Sequence, residues 1–184
     1  IEQIVYDKDS IKLTFDKNNI TCDYLIISDG VFSKGKLLIS TNKSKPIYND
    51  TIAIRGTISR ENFQNINEEN ISLFLGPNFH YVVYPINNDK KLNFIGILQH
   101  KLKLSQKVSQ SFLESLQNIK LFPIFVSKNL YNPPKNIFLI GDAFFAFSPS
   151  FAQGASQSIE GANELYECLI NNNNFYDIRL KRVK

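Results

Sequence analysis

Asn136-Ile137-Phe138-Leu139-Ile140-Gly141-Asp142-Ala143 decides the fold, together with an earlier counterpart, Tyr24-Leu25-Ile26-Ile27-Ser28-Asp29-Gly30. Each is a short unbroken apolar run that stops at a small residue or glycine beside an aspartate. Runs of this kind suit strands buried on both faces, whereas a sheet with one wet face alternates apolar and polar residues. In a parallel or mixed sheet the carboxyl ends of the strands open on the crevice where ligands bind. Asp29 and Asp142 are therefore placed to face a ligand, and an ionised carboxylate there accepts hydrogen bonds from sugar-like hydroxyls. Gly30 and Gly141 permit the tight turn and the close approach of backbone to ligand. The competing reading is turn chemistry alone, since Asp-Gly closes turns and Gly-Asp caps helices. Taken singly, each motif fits turn chemistry better; as a pair in this order they favour a ligand.

Downstream of the second run, Gln153-Gly154-Ala155-Ser156 opens a helical pattern through Ile159, Ala162, Leu165, Tyr166 and Leu169, and its first turn offers backbone N–H groups to electron density. The asparagines 171–174 end that helix. Upstream of the first run, strand-like segments are broken by Asp7-Lys8-Asp9 and Asp16-Lys17-Asn18-Asn19. Between the two runs, residues 51–58, 71–75, 79–86 and 92–99 are rich in branched and aromatic residues and predict a mainly antiparallel sheet. Val108, Phe112, Leu113 and Leu116 then predict a helix within 105–118 that packs on it. The expected class is mixed α/β.

Composition narrows the function. The chain has 184 residues, with 21 Lys and Arg against 17 Asp and Glu, and its net charge of +4 is spread out rather than massed. That argues against nucleic acid as a partner. The basic residues Arg179, Lys181, Arg182 and Lys184 read as the solvated end of a helix. Cys22 and Cys168 are isolated, as suits a reducing cytoplasm, and His80 and His100 lack metal-ligand spacing, so no metal is expected. No apolar run reaches the ~18 residues of a membrane span.

Residues 23–33 resemble the middle Asp-Gly segment of the single-component flavoprotein hydroxylases, the group of salicylate, para-hydroxybenzoate and ubiquinone-pathway hydroxylases. Gly141-Asp142-Ala143, Pro149 and 153–160 resemble the later Gly-Asp segment of that group. Ile54-Arg55-Gly56, Leu75-Gly76-Pro77 and 81–86 are similar to its substrate-domain strands. The resemblance implies an FAD-dependent aromatic-ring monooxygenase, using NAD(P)H and O2 on a small aromatic substrate. It implies a partial Rossmann-like FAD-binding domain in two pieces, 1–45 and 133–184, with an inserted antiparallel substrate-binding domain at 46–132. Asp142 would hold the FAD ribityl chain. Asp29 and Gly30 would lie near the pyrophosphate, where the family also relates the aspartate to use of the nicotinamide cofactor. Pro149 would lie beside the isoalloxazine, and Gln153, Gly154, Ala155 and Ser156 would line its pyrimidine edge. The chain departs from the pattern at Phe145, where members commonly have His, at Ser156, where they have Asn, and at Gly161, a frequent Asp. It contains no G-x-G-x-x-G and begins with Ile1, so the resemblance implies a C-terminal fragment that alone binds FAD weakly or not at all, and is inactive.

On the substrate side, Arg55 is a candidate for a substrate carboxylate, against a surface ion pair. Tyr81 and Tyr84 are candidates for a ring pocket, against ordinary cross-strand packing. No catalytic residue is identified. Two rival functions share these features: another FAD-dependent oxidoreductase, reductase or halogenase-like, and a non-catalytic binding protein whose aspartates only close turns.

Overall fold

The alternating start of the chain folds as a three-stranded antiparallel meander, β1 (Gln3–Tyr6), β2 (Ile11–Phe15) and β3 (Asn18–Cys22), in the order β1-β2-β3. Asp16 and Lys17 make the β2–β3 turn with positive φ, as a tight hairpin needs. A computed structural model describes all residues except 9, 41–44, 60, 62–69, 87–90, 100, 102–109, 129 and 184. The first apolar run becomes β4 (Leu25–Ile27), and after the Asp29-Gly30 turn the chain enters helix α1 (Lys34–Ile39). Ser33 caps α1, its hydroxyl accepting from the Lys36 N–H at 2.9 Å.

The chain divides into two units, one of Ile1–Ile47 with Phe125–Lys184 and one of Tyr48–Ile124. The second is built on a five-stranded sheet of β5 (Ile47–Ser59), β6 (Ser72–Gly76), β7 (Phe79–Ile86), β8 (Lys91–Gln99) and β9 (Leu116–Val126), in the order β6-β7-β8-β5-β9. The first four agree closely with the predicted strand segments. One face carries Ile58, Val83, Leu92 and Phe94, which pack with Phe112 and Leu116. Phe112 belongs to helix α2 (Gln110–Ser115). The predicted helix at 105–118 is corrected at its end: Leu116–Asn118 already belong to β9, while 105–109 lie outside the described residues. Pro123 sits within β9, where an edge strand tolerates a missing N–H.

Back in the first unit, the second apolar run forms β10 (Ile137–Leu139), followed by a single helical turn, α3 (Gly141–Phe144). A 3-10 turn, Pro149–Phe151, leads to the long helix α4 (Gly154–Asn171) and then to α5 (Phe175–Val183). Helix α4 ends at Asn172 in the left-handed conformation, within the asparagine run. Its inner residues are Gly161, Leu165 and Cys168, whereas Ile159 and Tyr166 from the predicted helical pattern face outward. Ile27, Ile137, Leu139, Phe144, Leu165 and Phe175 form the centre of this unit's core.

Among the described residues β10 pairs with β4 alone, in parallel, Leu25 opposite Ile137 and Ile27 opposite Leu139. The other edge of β10 is closed by a side chain: the Tyr176 hydroxyl accepts from the Leu139 N–H at 2.8 Å and donates to the Ile137 carbonyl at 3.3 Å. Burial pushes this phenol far above its ordinary pKa, so it stays a donor. Tyr176→Phe should cost about 1–3 kcal/mol, because both backbone groups remain buried without a partner. Urea unfolding checks this, and a change below about 0.5 kcal/mol would show that the hydroxyl does not seal the strand.

Candidate functional site

Parallel pairing settles where the two strand-end aspartates lie. The register continues past Leu139 and Ile27 through a bond from the Ile140 N–H to the Ile27 carbonyl at 3.1 Å. Gly141 is therefore level with Asp29, and Asp142 follows by one residue. Both strand ends deliver their turns to one rim although more than a hundred residues separate them in sequence. Gly30 and Gly141 adopt φ of 83° and 58°, the left-handed region that side chains disfavour. A third connection crosses the rim, where the Lys36 ammonium on α1 donates to the Phe144 carbonyl at 3.2 Å.

The two carboxylates differ in what they do. Asp29 turns one oxygen, Oδ2, onto the Gly35 N–H at 2.9 Å, in the first turn of α1. The turn-closing reading is therefore realised for Asp29, with its other oxygen unengaged among the described residues. Asp142 makes no side-chain hydrogen bond or ion pair among the described residues. Its side chain is exposed at the rim, yet the surrounding protein mass strips some water from the carboxyl and raises its pKa above the ordinary aspartate value. Its exposure keeps that effect modest. Lys36 shows the opposite shift: it is buried, without a carboxylate partner among the described residues, and desolvation lowers its pKa.

Gly141 also touches the start of α4, since a Cβ there would stand 3.0 Å from Ser158 Oγ. Ser158 in turn donates to the Gly154 carbonyl at 2.9 Å. The first turn of α4 is thus held beside the Gly141-Asp142 turn. Gln153 is the N-cap and supplies no side-chain bond, and no acidic residue lies in the first turn. The N–H groups of Gly154, Ala155 and Ser156 have no acceptor among the described residues, which leaves them at the positive end of an 18-residue helix. Ala152 precedes them with φ 51°, a strained conformation for a residue with a Cβ. Pro149 opens the 3-10 turn, and Phe145 packs edge-on against Phe147 at 5.0 Å. This side of the rim therefore brings together Gly141, Asp142, Gln153, Gly154, Ala155 and Ser156, with Asp29 and Gly30 opposite. It combines hydroxyl acceptors with free N–H donors.

The substrate-side candidates belong to the second unit, and the structure separates them. Tyr81 stacks on Phe74 at 4.5 Å and lies near Phe94 and Phe112, on the face covered by α2. That is ordinary core packing. Tyr84 and Arg55 are on the opposite face of the sheet, where Tyr84 pairs with Asn93 and Arg55 with Ile95. Arg55 is exposed, with its guanidinium 5.5 Å from the centre of the Phe122 ring. His80 is on the Arg55 face, and His100 lies outside the described residues. No cluster of three or more His, Cys, Asp or Glu is assembled among the described residues, and no described helix is long and apolar enough to cross a membrane.

The reading of the C-terminal basic residues needs correction. Arg179 is only 3% exposed, and its guanidinium binds Glu160 and Glu164, both at 3.1 Å, and the Gln157 carbonyl at 2.6 Å. Sequence missed it because a cationic cluster near a chain end is usually solvated. The available signal was Glu160 and Glu164, four apart on one face of α4, with Gly161 between them. A Cβ at 161 would meet Arg179 Nε at 3.3 Å, so glycine at this position makes room for the guanidinium.

No protein-family model and no curated relative matches the sequence. Solved structures do. Salicylate hydroxylase in complex with substrate matches with a TM-score of 0.77 at 19% identity, over 96% of this chain and 53% of that one. HpxO of Klebsiella pneumoniae, complexed with FAD and uric acid, matches with a TM-score of 0.73 at 17% identity, over 89% of this chain and 47% of that one. CtdE, in complex with FAD and a substrate, gives 0.82 at 17% identity, over 98% and 55%. This chain, over about half the length of each, has the fold of salicylate hydroxylase, HpxO and CtdE.

Proposed function

We propose that this chain is the C-terminal part of an FAD-dependent monooxygenase that uses NAD(P)H and O2 to hydroxylate an aromatic substrate. The observation that carries the proposal is the parallel β4–β10 pair, which puts the Asp29 and Asp142 turns on one rim beside the uncapped start of α4. That donor and acceptor set fits FAD. Asp142 has a free carboxylate for ribityl hydroxyls, while Gly154, Ala155 and Ser156 present N–H groups suited to an electron-rich ring edge. Gly141 lets the backbone approach closely, and Asp29 holds the turn between β4 and α1 through Gly35. When bound, FAD supplies the redox chemistry between the nicotinamide reductant and O2.

The chain's own groups position and polarise. Asp142 fixes the sugar-alcohol chain and so the depth at which the ring sits. The α4 N–H groups favour negative charge on the ring edge, a stabilisation that needs no reorganisation. Arg55 and Tyr84, on one face of the second unit's sheet, are the remaining candidates for the aromatic substrate. Tyr81 serves that sheet's core.

The complete protein, supplied with reductant, isotopically labelled O2 and a panel of aromatic acids, should transfer labelled oxygen to the ring of one of them. Mass spectrometry of the product reads this directly. Reductant consumption that yields a reduced or halogenated product instead would assign the protein to another oxidoreductase class on the same scaffold. No flavin retention at all would support a binding protein.

A further inference from the structure

Beyond the flavin rim, the first unit contains a cavity of about 470 Å³ around the start of α1, within the size range of small-molecule sites. Its apolar wall includes Phe32, Leu37 and Phe125, and the Phe32 and Phe125 rings meet edge-on at 4.9 Å. Phe32 is 60% exposed, an uncovered ring at the mouth of a concave site. Lys34, Lys36 and Lys45 also line the cavity, and among the described residues no carboxylate does. Lys36 is buried, and of its three donors only the one to the Phe144 carbonyl is engaged among the described residues. A cavity with aromatic walls and three lysines that make no ion pair among the described residues is matched to a flat apolar body carrying negative charge. None of its lining residues belongs to the rim set of Asp29, Gly30, Asp142 and the start of α4.

We propose that this cavity is a second binding site, for a planar aromatic anion bearing a carboxylate or a phosphate. The rings would pack against Phe32 and Phe125, with the anionic group reached by Lys34, Lys36 and Lys45. The proposal is independent of the flavin reading, because it uses neither the rim carboxylates nor the α4 N–H groups.

Isothermal titration of the full chain with 2-naphthoate, 2-naphthyl phosphate and the neutral 2-naphthalenemethanol tests it, and the two anions distinguish a carboxylate from a phosphate ligand. At least one anion should bind more tightly than the alcohol, with an advantage that shrinks as salt is added. Lys34→Gln combined with Lys45→Gln removes two exposed charges without disturbing the core. It should weaken the preferred anion about fivefold and leave the alcohol unchanged. Phe32→Ala should weaken all three ligands. Equal binding of alcohol and anions, an anion affinity unaffected by the lysine substitutions, or no binding at all would overturn the proposal.

Discussion

Replacing Arg179 with methionine should destabilise the chain by about 3–5 kcal/mol, the largest loss expected of any single substitution here. The guanidinium is nearly fully buried and both of its terminal nitrogens are engaged: Nη1 reaches both Glu160 and Glu164, and Nη2 reaches the carbonyl and Oε1 of Gln157 at 2.6 and 2.8 Å. Removing it leaves Glu164, with only 15% of its side chain exposed, facing Arg182 alone at 3.7 Å, and leaves the Gln157 carbonyl without this donor. Breaking a buried pair is expensive because the surviving partner stays desolvated. Arg182 pairs closely with Glu160 at 2.6 Å and is itself well exposed, which places the loss toward the lower end of that range. Urea unfolding of the variant and of Arg182→Met checks the contrast, since Arg182→Met should cost under about 1 kcal/mol. Equal losses would mean that burial does not set the energetics of this cluster.

The second large effect concerns ligand binding. Asp142→Ala should weaken FAD binding by about 1–3 kcal/mol, roughly fivefold to a hundredfold or more, through loss of hydrogen bonds to a charged acceptor. Asp142→Asn should retain part of that affinity. Protonation gives the carboxyl a hydrogen where it has to accept one, so flavin affinity should fall as pH drops through the Asp142 pKa. Because that pKa is raised, the fall should begin at higher pH than for an ordinary aspartate, and Asp142→Asn should flatten it. Flavin titration across acid pH measures both. A wild-type profile matching that of Asp142→Asn would detach the carboxylate from the flavin.

The rim was legible in the sequence because two unbroken apolar runs leave few options. Runs this apolar pair in a sheet, and a shared polar ending suggests that the ends coincide. The expected burial on both faces needs correction for β4, where Ile26 is 49% exposed and only Leu25 and Ile27 face the core. The start of α4 was also legible, from Gly154 and the helical spacing after it. Arg179 was not read, because its burial depends on α5 folding back onto α4, and the Glu160, Gly161 and Glu164 pattern on α4 marks a place for a cation without saying which residue fills it. Strand β9 was hidden for another reason. Much of it is exposed on an edge, including Ile119 and Leu121, so it lacks a clean alternation, and the helical spacing ending at Leu116 runs straight into it. The tyrosines carried their own clue. Tyr81 and Tyr84 are three apart, an odd spacing that puts them on opposite faces of a strand, so one pocket cannot be lined by both from this sheet face.

What remains is whether the shared rim serves one cofactor. A crystal structure of the complete protein grown with FAD reads this directly. The flavin should lie across the ends of β4 and β10, with a ribityl hydroxyl within about 3.2 Å of the Asp142 carboxylate and the ring edge over the α4 N–H groups. Flavin density elsewhere, with Asp142 facing only solvent, would contradict the account.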